Sequence, residues 1–377
     1  NYSLLSLLFI MNYMATCGLY VLKWHVLQDR LFQILMSNYF YWVFLMYIPL
    51  SMTWSARPDE TMTGSVGMFG TVLFAVYIAS RFTLRELVDF FILYFGTIAV
   101  LSAITTVLFP HYGIMAAKHA GSIRGIYTHK NVFAPYMVLS CCTFLIHLRD
   151  RNSNKKLAAG GLALSLALLV AAKSSSALVN VTALMSLVMA LETFRFRRSH
   201  FLLSLFFIST FFLFIAAWGN TLFVALINLL GKDMTLTGRT DIWPFVLTKI
   251  QERPWFGYGF NGFWHGAYGE SWDVIHAMRW DLPNSHNGFL DLILALGIVG
   301  LSLLLMNIWI SAIKGIAILR AKFTWYLTWP VVFIVYLIMT NLSESSLATQ
   351  NNFYTVLMTI SFVSISLEFK RIFQTII

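Results

Sequence analysis

Eleven apolar stretches succeed one another along the chain, near 2–22, 31–52, 61–80, 87–109, 131–148, 157–172, 176–193, 201–229, 289–313, 325–341 and 353–368. Each approaches the roughly 20 apolar residues with which a helix crosses about 30 Å of hydrocarbon. Backbone in lipid must satisfy its own N–H and C=O groups, so such runs fold as helices. The expected fold class is therefore an all-α polytopic membrane protein. Only 11% of the 377 residues are charged and 58% are hydrophobic, against about 25% charged in soluble domains. The sixth run is short and the eighth long, which leaves their ends loosely defined. The first is too long for a signal peptide and lacks its basic start, so it is read as a span. Because the chain opens on Asn1, one further span is expected ahead of it, for twelve in the full-length protein. The organisation is then spans 1–8 over 1–229, a large loop over 230–288, and spans 9–11 with a short tail over 289–377.

Alternating the loops sorts the 26 Lys and Arg residues. Lys23, Arg30, Arg81, Arg85, Arg149, Arg151, Lys155, Lys156, Arg195, Arg197, Arg198, Lys314, Arg320, Lys322, Lys370 and Arg371 fall on one side, in short loops dense in charge. That density marks the cytoplasmic side. The other side, with the long loop and Asn1, faces outward, and the C-terminus faces in. A net charge of +10 invites a nucleic-acid reading, but no loop concentrates enough of it and most of it serves orientation. Cys17, Cys141 and Cys142 sit in apolar stretches as small hydrophobes, without paired or zinc-type spacing.

Outer loops need few cations, so those present point to an anion. In Ser122-Ile123-Arg124-Gly125-Ile126-Tyr127-Thr128-His129-Lys130-Asn131, Arg124 offers a planar fork and Lys130 a point charge, both suited to phosphate oxygens. Anchoring in lipid headgroups is the plainer role for them. In Leu236-Thr237-Gly238-Arg239-Thr240-Asp241-Ile242-Trp243-Pro244, Thr240 is the expected N-cap of a short interfacial helix, with Pro244 in its first turn. Trp243, Val246, Leu247 and Ile250 form its apolar stripe, and Arg239 stands before its positive end. In Pro283-Asn284-Ser285-His286-Asn287-Gly288-Phe289-Leu290-Asp291, His286 stands at the mouth of the ninth span. A histidine there is more often a satisfied interfacial residue, but a neutral imidazole suits proton abstraction. Lys173-Ser174-Ser175-Ser176 and Asn341-Leu342-Ser343-Glu344-Ser345 are further polar span ends, and Glu344 is a candidate base, orienting partner for His286 or counter-ion. His265, His276, Glu270, Asp273 and Asp281 show no ligand spacing, so no metal is expected. Gly257-Tyr258-Gly259-Phe260-Asn261-Gly262 matches a dinucleotide fingerprint in letters alone. It lacks the βαβ context, and its glycines are expected to shape a turn.

Together, R-G-x-x-x-H-K-N, T-G-R-T-D-x-W-P, E-R-P-W-x-G-Y-G and S-H-N-G-F-L-D resemble the O-antigen ligase and polymerase superfamily, most nearly its exopolysaccharide polymerases. The likeness runs over about residues 50–350, from the Trp54-Ser55-x-x-Pro58 turn. It implies about a dozen transmembrane helices with one large periplasmic loop in the bacterial inner membrane. It also implies an inverting, metal-independent glycosyl transfer, without cofactor, from an undecaprenyl-diphosphate-linked glycan to a sugar hydroxyl. By the resemblance, Arg124 and Arg239 contact the diphosphate and His286 is the loop histidine. Lys130 and Asn287 join them as expected substrate contacts, with Asn287 or Glu344 orienting His286. The expected partners are the lipid-linked donor, the glycan acceptor and the bilayer, with room for a chain-length regulator protein and none for nucleic acid. A ligase acting on lipid A core shares the donor. A lipid-linked oligosaccharide flippase would place its polar groups through the bilayer midplane instead.

Overall fold

The computed structural model describes residues 4–116, 119–191, 239–266, 269–279 and 282–373. Its helices are α1 (Leu4–Leu22), α2 (Trp24–Ser37), α3 (Tyr39–Leu50), α4 (Pro58–Arg81), α5 (Leu84–Leu108), the single turn α6 (Pro110–Gly113), α7 (Lys130–Arg149), α8 (Lys155–Ala171) and α9 (Ser175–Leu191). After residue 238 come α10 (Arg239–Glu252), α11 (Trp272–Met278), α12 (Gly288–Ala321), α13 (Trp325–Asn341) and α14 (Phe353–Phe373). No strand occurs among the described residues. The eighth predicted run, 201–229, lies outside the described residues; every other run falls on helix. Pro58–Arg81, Leu84–Leu108, Lys130–Arg149 and Gly288–Ala321 are each long and apolar enough to cross a bilayer, and the bent pair α1 and α2 adds a fifth if it counts as one span. The chain is a multi-pass helical membrane protein.

Helix starts follow their capping residues. The Thr83 side chain accepts from the Glu86 N–H while the Glu86 carboxylate takes the Thr83 N–H, a capping box that opens α5. Asn154 caps α8, and Pro58 opens α4 where no intrahelical donor is lost. The second predicted run, 31–52, is corrected: it is not one helix but the end of α2 followed by α3. The break falls at Asn38, whose side chain donates to the Ile34 carbonyl at 3.0 Å and accepts from Ser366 Oγ at 3.1 Å. A buried amide with its own partners competes with the helix ladder, and hydropathy averaging passes over it. Between α1 and α2 the axis turns by 105°.

Polar contacts between helix ends and between loops gather at two ends of the bundle. At one end Arg30 reaches the Ser80 carbonyl, Lys314 Nζ donates to the Ser37 carbonyl at 2.6 Å, and the Arg149 guanidinium lies 5.2 Å over the Trp325 ring. At the other end the Ala56 N–H donates to the Tyr258 carbonyl at 2.9 Å, Ile123 to Ala171 at 3.1 Å, and Gly288 to Glu344 at 3.0 Å.

The long helix α12 is interrupted at Gly297, which has φ 65° and ψ −174°. The gap is filled by backbone from residues 254–259. Ile298 N–H donates to the Pro254 carbonyl at 2.9 Å and Val299 N–H to Trp255 at 3.3 Å. In return the N–H groups of Tyr258 and Gly259 donate to Leu294 and Ala295 at 2.7 and 2.9 Å. Helical groups orphaned by the break are satisfied from outside the helix, as buried backbone requires. A side chain at 297 would collide with the Trp255 carbonyl, and one at 257 would meet the Leu294 carbonyl at 2.6 Å. The glycines of the 257–262 segment therefore permit backbone docking rather than only a surface turn.

Gly297→Ala is expected to lower the thermal unfolding midpoint in detergent, with about 1–3 kcal/mol lost to backbone strain alone. Gly160→Ala, at a helical site with nothing within 4 Å, serves as the control and should match or slightly exceed the wild type. Equal midpoints for the two variants would contradict the docking role of Gly297.

Candidate functional site

The segment 283–291 is wired by its own polar side chains. Asn287 caps α12, its Oδ1 accepting from the N–H groups of Phe289 and Leu290 at 3.0 and 3.2 Å. Asn284 Oδ1 accepts from the His286 N–H at 3.0 Å, and Ser285 Oγ donates to the Asn287 carbonyl at 3.0 Å. Asp291, one turn into α12, accepts from the Ser285 N–H at 3.0 Å and from Trp264 Nε1 at 2.9 Å. The backbone on both sides of His286 is thereby fixed, and His286 itself adopts φ 54°. A non-glycine residue in the left-handed region is uncommon and is held there by its surroundings, a pattern that gathers at working sites.

Two other segments meet this one. The Gly288 N–H bonds the Glu344 carbonyl at 3.0 Å, and Asn341 Oδ1 both fills the place of a Cβ on Gly288 and accepts from the Ser346 N–H at 2.9 Å. Glycine at 288 thus lets the two motifs touch. From the other direction, Trp243 Nε1 donates to the Ser285 carbonyl at 3.1 Å, which sets the first turns of α10 against the histidine loop. α10 is described from Arg239 onward, so Thr240 lies inside the helix rather than at its N-cap, and Pro244 lies beyond the first turn. Both expectations for this helix start are corrected. The buried face of α10 is Ile242 and Val246 with Trp243 and Ile250 against them, while Leu247 is exposed. These side chains join Tyr258, Phe263, Val274, Leu282 and Leu294 in a small core that binds the large loop to the outer part of α12.

Beside the histidine loop opens a cavity of about 360 Å³. Its wall carries Glu60, Asn261, Trp264, His265, Asn284, Asp291 and Gln350 together with Phe260, Phe263 and Leu347. None of the five predicted site residues whose side chains are described is in that wall, although Asn284 and Gly288 flank His286 and Ser345 follows Glu344. The structure brings together His286, Asn287, Glu344 and the helix that begins at Arg239. Asp291 went unremarked despite a sequence signal: a carboxylate inside an apolar run. Glu60 and Gln350 had none, since only the fold carries them to the cavity.

Arg124 and Lys130 form a separate cluster at the same end. The Arg124 guanidinium donates to the carbonyls of Tyr112 at 2.7 Å, Thr128 at 3.2 Å and His111 at 3.2 Å, which folds its loop around it. Lys130 Nζ donates to the Lys173 carbonyl at 3.2 Å, past the end of α8. His119 and His129 rings lie 5.4 Å apart edge to face. Tyr127 stacks on Tyr136 at 4.7 Å and Tyr136 on Phe353 at 5.5 Å, an aromatic bridge from this loop toward the segment after Gln350.

The acidic residues weighed as metal ligands have other partners. Asp273 pairs with Lys249 at 2.7 Å, and Glu270 faces Arg253 at 3.9 Å. His265 Nε2 contacts the Asn261 carbonyl at 2.6 Å and His276 packs on Trp272, while Asp281 lies outside the described residues.

These features define a helical membrane protein with a polar, aromatic cavity where one large loop packs on a broken helix. Residues 160–305 match the family model described as O-antigen ligase. That stretch includes Arg239, His286 and Asn287, whereas Arg124, Lys130 and Glu344 lie outside it. The exopolysaccharide production protein ExoQ of Rhizobium meliloti (strain 1021) is 24% identical over 292 residues, covering 72% of this chain and 64% of that protein. The chain thus spans less than two thirds of that relative's length. Both findings bear out the resemblance to the O-antigen ligase and polymerase superfamily.

Burial pushes the His129 imidazole below the ordinary histidine range, and His119, Lys130 and Arg124 add to the effect. Its Nδ1 accepts from the Asn131 N–H at 3.1 Å at the start of α7, a bond that protonation there abolishes. With the folded value depressed, the unfolded chain takes up the proton first as pH falls. The stability this imidazole confers is complete above about pH 6.5 and is lost as pH drops toward the folded value. Melts between pH 8 and pH 5 should show a steeper decline for the wild type than for His129→Asn, which keeps a capping acceptor. Parallel declines would refute the assignment.

Proposed function

We propose that the chain is a glycosyltransferase of bacterial surface-polysaccharide synthesis, a polymerase that moves an undecaprenyl-diphosphate-linked glycan onto a hydroxyl of another lipid-linked repeat unit. The observation that carries this reading is the convergence of the His286 loop, the Glu344 loop and the start of α10 beside one cavity. In the proposed reaction the acceptor oxygen attacks the anomeric carbon, forming the new C–O bond with inversion. The bond to the lipid diphosphate breaks and its electron pair leaves on the phosphate oxygen. His286 takes the hydroxyl proton, and Glu344 orients it. Arg239 serves the leaving diphosphate, where the positive start of α10 adds to its charge. Arg124 and Lys130 serve the same anion from their own cluster, with Arg124 also holding its loop. No metal has a part in this scheme. The charge-dense end of the bundle lies in the cytoplasm with the C-terminus, and the large loop lies in the periplasm of the inner membrane.

A ligase that passes the same glycan to lipid A core is the second reading, favoured by the description of the matched family model. Products in a deletion strain separate the two. A single retained repeat marks a lost polymerase, and accumulated long lipid-linked chains mark a lost ligase. A flippase is separated by purified protein in proteoliposomes given lipid-linked repeat units, since only an enzyme elongates them.

In that assay His286→Ala is expected to lower elongation by about 100-fold or more while the protein remains folded. Arg239→Lys should recover little of what Arg239→Ala loses, because bidentate contact to phosphate is gone. Normal chain length from His286→Ala would remove the proposed base.

A further inference from the structure

The composition of the cavity wall is one-sided. It carries the carboxylates of Glu60 and Asp291, and no lysine or arginine is among its described residues. Arg57, Arg124, Lys130, Lys249 and Arg253 at this end are not in that wall, and its one imidazole, His265, has Nε2 held at the Asn261 carbonyl at 2.6 Å. A phosphate placed in the cavity would find no described cation to pair with, and burying an unpaired anion is costly. What the wall does offer is aromatic area from Trp264, Phe260 and Phe263, with the amides of Asn261, Asn284 and Gln350 between. Ring faces cover the C–H surface of a pyranose, and amides both donate to and accept from hydroxyls. Gln350 adds a sharper signal. Its stem is pressed toward Gly67, where a Cβ would stand 3.1 Å from its Cγ, and its Oε1 is buried without a hydrogen-bond partner. An unmet buried amide oxygen is destabilising, and a donated ligand hydroxyl relieves it once the amide turns to meet it. The volume, about 360 Å³, is near the lower end of the roughly 300–1,000 Å³ typical of ligand sites, suited to the end of a saccharide rather than a long chain.

We infer that this cavity is a saccharide subsite for an uncharged terminal sugar and rejects a uronic acid at that position. It rests on the glycosyl-transfer reading only for the role of that sugar as acceptor. Asp291 is already committed to Ser285 and Trp264, so it cannot move aside for an incoming carboxylate. Glu60 stands exposed in the first turn of α4 and adds repulsion at the wall.

Purified protein in nanodiscs is probed by saturation-transfer NMR. The probes are neutral disaccharides ending in glucose, galactose or mannose, each matched with the uronic acid of the same configuration. At least one neutral member should bind, and its uronate should bind more weakly by roughly tenfold or more. Glu60→Arg, at an exposed site that tolerates the change, should raise uronate binding at least about fivefold, and Gln350→Arg should act in the same direction. A uronate bound as well as its neutral match, no neutral sugar bound, or a preference untouched by either arginine would each overturn the inference. Elongation of lipid-linked repeats in the same nanodiscs is read separately. Elongation with no charge preference overturns this inference alone, whereas charge-selective binding in a protein that never elongates supports the subsite and overturns the polymerase reading.

Discussion

The exchange of backbone hydrogen bonds between residues 254–259 and the break in α12 organises everything above it. A helix interrupted in an apolar setting exposes carbonyls and amides that lipid cannot satisfy, so the interruption exists only if another strand of polypeptide fills it. Pro254 and Trp255 supply acceptors to Ile298 and Val299, and Tyr258 and Gly259 return donors to Leu294 and Ala295. From that anchor the loop continues to Trp264, whose indole fixes Asp291, and Asp291 in turn fixes Ser285 beside His286. The same anchor places Trp54 against Phe256 and Ala56 against Tyr258. The turn before α4, and Glu60 with it, is thereby brought to the cavity.

Charge is divided at this end in a way that fits a reaction with two unlike substrates' parts. The Arg124 and Lys130 cluster holds its own loop through carbonyls and remains cationic. The cavity wall pairs carboxylates with aromatic rings and amides. Beside the cavity stands the His286 loop, whose polar side chains bond its own backbone. Such wiring fixes the backbone that carries the His286 imidazole. The left-handed backbone at His286 is the strained element this wiring sustains.

The helices were legible because apolar runs of membrane length have few other solutions, and predicted runs fall on helix wherever the chain is described. What hydropathy could not show was interruption. Asn38 splits a run because its amide finds Ile34 and Ser366, partners no local window contains. Gly297 splits another because a segment some forty residues earlier fits into it. The residues of the histidine motif were visible as a group, and their likeness to a family pointed to the same place. Asn287 proved to be a cap and Arg124 a loop organiser, roles set by backbone geometry that the motif letters did not show. Glu60 and Gln350 were invisible because each is an ordinary polar residue until the fold sets them on one wall.

The break at Gly297 also divides α12 into mechanically unlike parts. The part after the break, Ile298–Ala321, is a full membrane length of continuous helix, tied to the large loop at its first turn through Ile298 and Val299. The outer part, Gly288–Leu296, is bonded to the large loop and carries Asp291 and the cap of the histidine loop. Because Ile298 and Val299 take their acceptors from Pro254 and Trp255, a tilt of that part pulls on the loop through the break. Bilayer thickness is thereby coupled, through one glycine and four backbone bonds, to the loop that supplies part of the cavity wall.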